Sequence, residues 1–320
     1  MDKNICIVVS DNGMGHFQRQ LAIANTLADS YGLSVHLFFN SLALKNQYSH
    51  KVKLFKIPVN YNKTFFINSG EINFKSEIDF RSYKLVITDN IIEITKYTSN
   101  SVLYANFLWS EVLPELKNSH SKILKNKNPV IYTNKYFSSP LINTYLNNKK
   151  IGFIVDSEDK ILSDKENLLI SFGSSTEILD ANIKLINYII SSFKNSFNYF
   201  FIEPRYHIFF KNSQVKVATY TDKMYSTLKC ALIRPGIGSI TKCLFHNVKI
   251  FPIQIDDFEM KHNTDILKKI FLLVENYQTK NIKFHINHFL SSTYYQSEFL
   301  AQTDLLDFDG SKQFCKSIIK

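Results

Sequence analysis

The chain has 320 residues, 45% of them hydrophobic and 14% aromatic, and a formal net charge of +10. That length suits two domains of about 160 residues each, and the composition excludes a disordered chain. The positive charge is scattered among Asn, Ser and acids, with no dense basic run, RNP-like motif or zinc-finger spacing, so nucleic-acid binding is not expected. A basic face that attracts nucleoside diphosphates or anionic headgroups fits better, as does a plain solvated surface. Cys6, Cys230, Cys243 and Cys315 show no paired spacing, which is the usage of a reduced cytoplasmic protein. No CxxC or HExxH pattern occurs, so neither a metal nor a cofactor is expected. The apolar run 5–9 is too short for a signal peptide, and no run reaches the ~18–20 residues that span a bilayer.

In chain order, strands are expected at 5–9, 34–38, 52–57, 85–88, 102–104 and 130–132, with an amphipathic helix over 17–27. The polar, irregular stretch 61–79 reads as a surface loop or as an excursion near a binding cleft. A linker rich in Asp, Glu, Lys and Ser covers 156–167. A second series of strands follows at 168–172, 199–202, 215–218, 231–233, 249–252 and 271–274. Helices are expected at 176–193, 224–229, 239–245, 259–269 and 311–319. This alternation implies α/β architecture with parallel sheets.

Two glycine turns stand out. Gly13-Met14-Gly15-His16-Phe17-Gln18-Arg19 follows the first strand, and Arg234-Pro235-Gly236-Ile237-Gly238-Ser239-Ile240-Thr241 follows the strand ending at Ile233. Glycine lets backbone amides approach a ligand, and a helix N-terminus favours anionic oxygens. The segment Ser171-Phe172-Gly173-Ser174-Ser175-Thr176 reads either as a phosphate-suited turn or as an ordinary helix cap. His16 reads as a helix cap or a catalytic base. Arg19, one turn on, reads as a phosphate or carboxylate ligand or a structural ion pair. Asp89 lies at the carboxyl edge of its sheet, where it could orient His16 or cap the next helix. Trp109 fits the core better than an acceptor surface, and Glu203 carries little weight.

The block from Ala231 to Asn263 resembles the donor-binding region of nucleotide-sugar glycosyltransferases with two Rossmann-like domains, in particular the family 28 type. The resemblance implies that Gly236, Gly238, Ser239 and Thr241, with Arg234 and with Gly173, Ser174 and Ser175, hold the donor diphosphate. It implies further that Asp257, Glu259 and Asn263 touch the donor sugar, and that the stretch holding Thr221 and Met224 meets the nucleobase. The GxGHxxR turn is also similar to that of nucleotide-sugar hydrolases of pseudaminic acid synthesis. By this resemblance His16 is a general base supported by Asp89, and Gly13, Gly15 and Arg19 lie on the acceptor or phosphate side. One departure is Lys242, which stands where the family usually carries a ribose-binding glutamate; a lysine cannot accept a hydroxyl hydrogen bond.

The expected architecture is therefore the GT-B type, two Rossmann-like domains at 1–160 and 161–320 facing a cleft, with the last helix packing back on the first domain. The expected function is metal-independent, inverting transfer from a nucleotide-diphosphate sugar to a hydroxyl of a carbohydrate or lipid-linked acceptor. The implied setting is bacterial polysaccharide or glycolipid synthesis, in the cytoplasm or peripheral to the membrane. The alternatives are a nucleotide-sugar hydrolase using the same histidine, and a non-catalytic sugar-nucleotide binding protein.

Overall fold

The computed structural model describes residues 4–10, 14–39, 50–57, 78–156, 160–161, 163–173, 179–253, 257–271 and 281–319. Gly13, Ser174, Ser175 and most of the expected loop 61–79 lie outside these described residues. The chain divides into two units, Met1–Asp156 with Asp307–Lys320, and Ser157–Leu306. The division thus falls a few residues before the expected boundary, and the last fourteen residues (307–320) belong to the first unit.

Unit 1 is built on a seven-stranded sheet with the order β3-β2-β1-β4-β5-β6-β7. Its strands are β1 (Ile5–Val8), β2 (Val35–Phe39), β3 (Val52–Lys56), β4 (Leu85–Asp89), β5 (Ser101–Tyr104), β6 (Val130–Asn134) and β7 (Asn148–Ile151). All neighbours run parallel. Strand β1 is apolar along its whole length because both faces of a central parallel strand are covered. Ile5, Ile7 and Val9 pack with Phe17, Leu21, Ala24 and Ala28 of helix α1 (Met14–Tyr31), whereas Cys6 and Val8 face a separate cluster with Phe107 and Trp109. Trp109 is therefore core. Strand β7, Asn-Lys-Lys-Ile, escapes the apolar pattern because it is the exposed edge of the sheet.

Unit 2 holds a five-stranded parallel sheet with the order β10-β9-β8-β11-β12. Its strands are β8 (Asn167–Ser171), β9 (Tyr199–Ile202), β10 (Val215–Val217), β11 (Leu228–Ile233) and β12 (Lys249–Pro252). Its longer helices and the one-turn α3 are α2 (Asp180–Phe193), α3 (Asp222–Ser226), α4 (Ile237–Phe245), α5 (Phe258–Ile270), α6 (Ile282–Ser291) and α7 (Thr293–Asp304). The helix expected at 224–229 is thus shorter and starts earlier, since Thr221 caps it and Leu228 already enters β11. At the strand expected over 271–274, Phe271 instead closes α5, and 272–274 lie outside the described residues. Lys165 donates to the carbonyls of Ser226, Leu228 and His246 at 3.3, 3.2 and 2.6 Å, tying together the ends of α3 and α4.

In each sheet the strand order reverses at a defined point, between β1 and β4 in unit 1 and between β8 and β11 in unit 2. Ligands of open α/β sheets bind beyond the carboxyl ends of the strands at such switch points. Both glycine turns named from the sequence lie there, one after β1 and one after β11.

The chain re-enters unit 1 through two close backbone approaches. Phe153 N–H donates to Asp307 O at 2.7 Å and Gly310 N–H donates to Phe153 O at 3.0 Å. A Cβ on Gly310 would lie 2.3 Å from the carbonyl oxygen of Gly152, closer than any side chain tolerates. This crossing seats helix α8 (Gly310–Ile318), whose Phe314 and Cys315 join the α1 core. Gly310→Ala is expected to lower stability by about 1–3 kcal/mol or more, as overpacking against rigid backbone does. A denaturant melt checks it, and an unchanged midpoint contradicts the crossing.

Lys249, at the start of β12, is 2% exposed, and its Nζ has no hydrogen-bond partner among the described residues. It lies 5.9, 5.7 and 5.1 Å from the ring centroids of Phe271, Phe289 and Phe299. Burial pulls its pKa from the usual 10.5 down to about 8. The unfolded chain therefore takes up this proton more readily than the folded one. The resulting cost is full below about pH 8 and fades as pH rises through 10.5, the unfolded value. Lys249→Met is expected to raise stability by about 3 kcal/mol near pH 7, the gain shrinking toward pH ~10.5. Denaturant melts across that range check the slope, and a pH-independent gain contradicts it.

Candidate active site

At the switch point of unit 1, helix α1 brings His16, Arg19 and Gln20 onto one face. Their spacing of i, i+3 and i+4 makes that possible. All three donate to Asp89, which ends β4. His16 Nδ1 lies 2.6 Å from Asp89 Oδ2, Arg19 Nη2 2.7 Å from Oδ1 and Gln20 Nε2 3.1 Å from Oδ1. The backbone N–H of Ser10, just past β1, points at Oδ2 from 3.4 Å. The Asp89 side chain is 0% exposed. Burial alone raises its pKa, but the charges of His16 and Arg19 and their hydrogen bonds outweigh burial and hold it at about 2. An ionised carboxylate only accepts hydrogen bonds, so His16 Nδ1 carries the proton. In the neutral ring Nε2 then holds the lone pair, and it makes no hydrogen bond among the described residues.

This geometry settles two alternatives left open by the sequence. Asp89 caps no helix, and His16 does not cap its own. Arg19 differs from its expected place on the acceptor or phosphate side: its guanidinium pairs with Asp89 and sits 4.6 Å over the ring of buried Tyr104. Gly15 lies in the first turn of α1.

In unit 2 a second buried carboxylate, Glu203, organises the turn after β8. Its Oε1 accepts from Ser171 Oγ at 2.8 Å and from the Gly173 N–H at 2.6 Å. Its Oε2 accepts from Arg205 Nε at 2.9 Å, and Arg205 also donates to the carbonyl of Gly173. Tyr220, in a left-handed conformation with φ of 55°, brings its hydroxyl within 3.2 Å of Ser171 Oγ. Gly173, with φ of 78°, needs the freedom of glycine. Its amide, expected to face a diphosphate, is already occupied by Glu203. The sequence hint for Glu203 was its place directly after a strand.

The turn after β11 is different. Gly236 is the N-cap of α4, and no side chain caps that helix. A Cβ at Gly236 would meet nothing within 4 Å among the described residues. Gly238 and Ser239 occupy its first turn, where backbone N–H groups lack intrahelical acceptors. Arg234 packs its stem over Gly173, and its buried Nε has no hydrogen-bond partner. No carboxylate among the described residues pairs with the Arg234 guanidinium. An uncompensated cation beside an uncapped helix start is chemistry suited to an anion.

Other expected donor contacts are engaged internally. Thr221 Oγ1 caps α3 by accepting from Met224 N–H at 3.3 Å, and the Met224 side chain is buried core. Thr241 donates 2.7 Å to the carbonyl of Ile237, one turn inside α4 and away from its start. Asn263 is buried and donates 2.8 Å to Pro235 O, bracing the glycine turn from behind. Asp257 caps α5 through Met260 N–H at 3.2 Å, with Glu259 in the first turn of that helix. Lys242 meets Asp222 Oδ1 at 2.7 Å, an oxygen that His246 Nε2 also approaches at 3.0 Å. It therefore neither points to solvent nor reaches for a phosphate. Among the described residues no group of three His, Cys, Asp or Glu side chains has metal-binding geometry, and no helix is long and apolar enough to cross a membrane.

The chain matches no protein-family model and no curated protein sequence. It is similar over its full length to solved structures. The glycosyltransferase of kitacinnamycin aligns at a TM-score of 0.70 and 10% identity, over 100% of this chain and 99% of that one. Arabidopsis thaliana UGT89C1 complexed with quercetin aligns at 0.68 and 10% identity, over 100% of each chain. Phytolacca americana UGT2, complexed with UDP-2-fluoro-glucose and pterostilbene, aligns at 0.67 and 12% identity, over 100% and 99%. The fold is that of the GT-B glycosyltransferases. Its α/β units with parallel sheets agree with the class read from strand and helix rhythm.

Asp89 offers a check on the unit 1 geometry. Its folded pKa lies below the usual 3.8, so its contribution to stability is present above that value and is lost as pH falls through about 2. Near pH 7 that contribution is about 2 kcal/mol. The stability difference between wild type and Asp89→Asn is expected to narrow between pH ~4 and ~2 in denaturant melts. A constant difference contradicts it.

Proposed function

We propose that this protein transfers a sugar from a nucleoside-diphosphate donor to a hydroxyl acceptor. The observation that carries the reading is the His16–Asp89 contact at a switch point, with Nδ1–H held by the carboxylate and the Nε2 lone pair uncommitted. His16 Nε2 takes the proton of the acceptor hydroxyl as its oxygen forms a bond to the anomeric carbon. The bond from that carbon to the diphosphate oxygen breaks, and the leaving group keeps the electron pair. A single displacement of this kind inverts the anomeric centre.

Unit 2 supplies the anion chemistry. The open start of α4 at Gly236, Gly238 and Ser239, together with the guanidinium of Arg234, is suited to the charge that develops on the diphosphate. The similar structures support the donor class: Arabidopsis thaliana UGT89C1 was solved with UDP, and Phytolacca americana UGT2 with a UDP-sugar. A lipid-linked or polysaccharide acceptor at the cytoplasmic face of a bacterial membrane remains part of this reading on the strength of the sequence resemblance.

A thermal-shift screen against nucleoside diphosphates and their sugars tests the donor. One base series is expected to raise the melting temperature, and Arg234→Ala is expected to reduce that rise. His16→Ala is expected to keep the ligand-induced rise while losing turnover by about 10²–10⁴-fold. Free sugar appearing without acceptor would identify a hydrolase, with water in place of the acceptor. No shift with any nucleotide, or an undiminished rate in His16→Ala, defeats the proposal.

A further inference from the structure

We propose that Arg19 is a positioning residue of the His16 base, acting through Asp89, and that it is not a ligand for an anionic substrate group. The inference rests on the reading of His16 as the base, and it assigns Arg19 a role other than the acceptor- or phosphate-side place that the family resemblance implied.

Three observations carry it. First, the two oxygens of Asp89 are divided between partners. Oδ1 takes Arg19 Nη2 at 2.7 Å and Gln20 Nε2 at 3.1 Å, and Oδ2 takes His16 Nδ1 at 2.6 Å. A carboxylate held on one oxygen by a guanidinium cannot rotate about its own axis without losing a charge-assisted bond. Its other oxygen is thereby aimed at the imidazole.

Second, Arg19 Nη2 also lies 3.1 Å from His16 Nδ1. Both atoms carry hydrogen when Nδ1 faces the carboxylate, so this approach is two donors converging on one acceptor group. The opposite ring tautomer could accept from Arg19, but its Nδ1 lone pair would then face Oδ2 at 2.6 Å. Asp89, held in place by Arg19, therefore selects the tautomer with Nε2 unprotonated, the form that can receive a proton from a hydroxyl.

Third, Arg19 is built in. Its side chain is 9% exposed, and its guanidinium lies over Tyr104, which is itself 1% exposed. A ligand for a substrate phosphate or carboxylate needs its charge uncompensated, as that of Arg234 is among the described residues. Among the described residues the guanidinium of Arg19 faces the buried carboxylate of Asp89.

The test has a spectroscopic and a kinetic arm. Long-range nitrogen–proton NMR of the His16 ring is expected to show Nδ1–H with Nε2 unprotonated in wild type and in Arg19→Lys, which keeps a cation beside Asp89. Arg19→Gln is expected to give mixed tautomers. This arm reads the proposal even if no donor is ever turned over, so a failed base assignment is told apart from a failed positioning role. In turnover, Arg19→Gln is expected to lower kcat on the order of 10²-fold with the KM for donor and acceptor changed less than ~2-fold. Arg19→Lys recovers most of that loss. On an Asp89→Asn background, adding Arg19→Gln changes the rate less than ~2-fold, because the residue it acts through is already gone.

Should Arg19→Gln alone not fold, the comparison of the double variant with Asp89→Asn decides, since neither contains a buried unpaired carboxylate. A large rise in KM with kcat kept, losses that add on the Asp89→Asn background, or an unaltered tautomer in Arg19→Gln overturns the proposal.

Discussion

A carboxylate with no exposure to water must be surrounded by donors or give up its charge, and unit 1 is arranged around that requirement at Asp89. The side chain sits where β4 ends, beside the end of β1. Its donors come from the chain just past β1 and from three residues of one face of α1. Meeting them fixes the first turns of α1 against the sheet edge. It also fixes which imidazole nitrogen is committed and which is left. The same contact that makes the carboxylate tolerable in the interior produces the chemically useful lone pair.

Unit 2 repeats the device with a different result. Glu203 follows β9, the neighbour of β8, as Asp89 ends β4, the neighbour of β1. Each carboxylate is paired with an arginine, Arg19 in one case and Arg205 in the other. Each reaches across to the turn after the adjacent strand. In unit 1 the partner is the His16 ring, held through Nδ1. In unit 2 the partner is the backbone amide of Gly173, and the result is a rigid turn with one fewer amide to offer. At the next turn Gly236 starts α4 without a side-chain cap, and among the described residues Arg234 has no carboxylate partner.

The Lys242–Asp222 pair illustrates how a departure from a familiar pattern is absorbed. A lysine in α4 with no acceptor capacity is matched by an aspartate in α3, twenty residues earlier, and His246 shares that aspartate. The reversal of charge is local and satisfied. It carries no sign of an abandoned site.

Alternation of short apolar runs with helical patterns was enough to determine the α/β class and eleven of the twelve strands among the described residues, because buried parallel strands are continuously apolar. The twelfth, β7, lay at a solvated edge and showed no apolar signal. His16 and Asp89 were visible as candidates from their places beside strand ends. That they touch was not, since 73 residues separate them and only the order of strands in the sheet brings β4 beside β1. The same holds for Arg19, Glu203 and Asn263, whereas Thr241 bonds within its own helix. Local spacing says which face a side chain occupies, but hydrogen bonds form across the sheet edge. Whether a polar group meets a ligand or its own protein is decided there, by the packing of strands and helices distant in sequence.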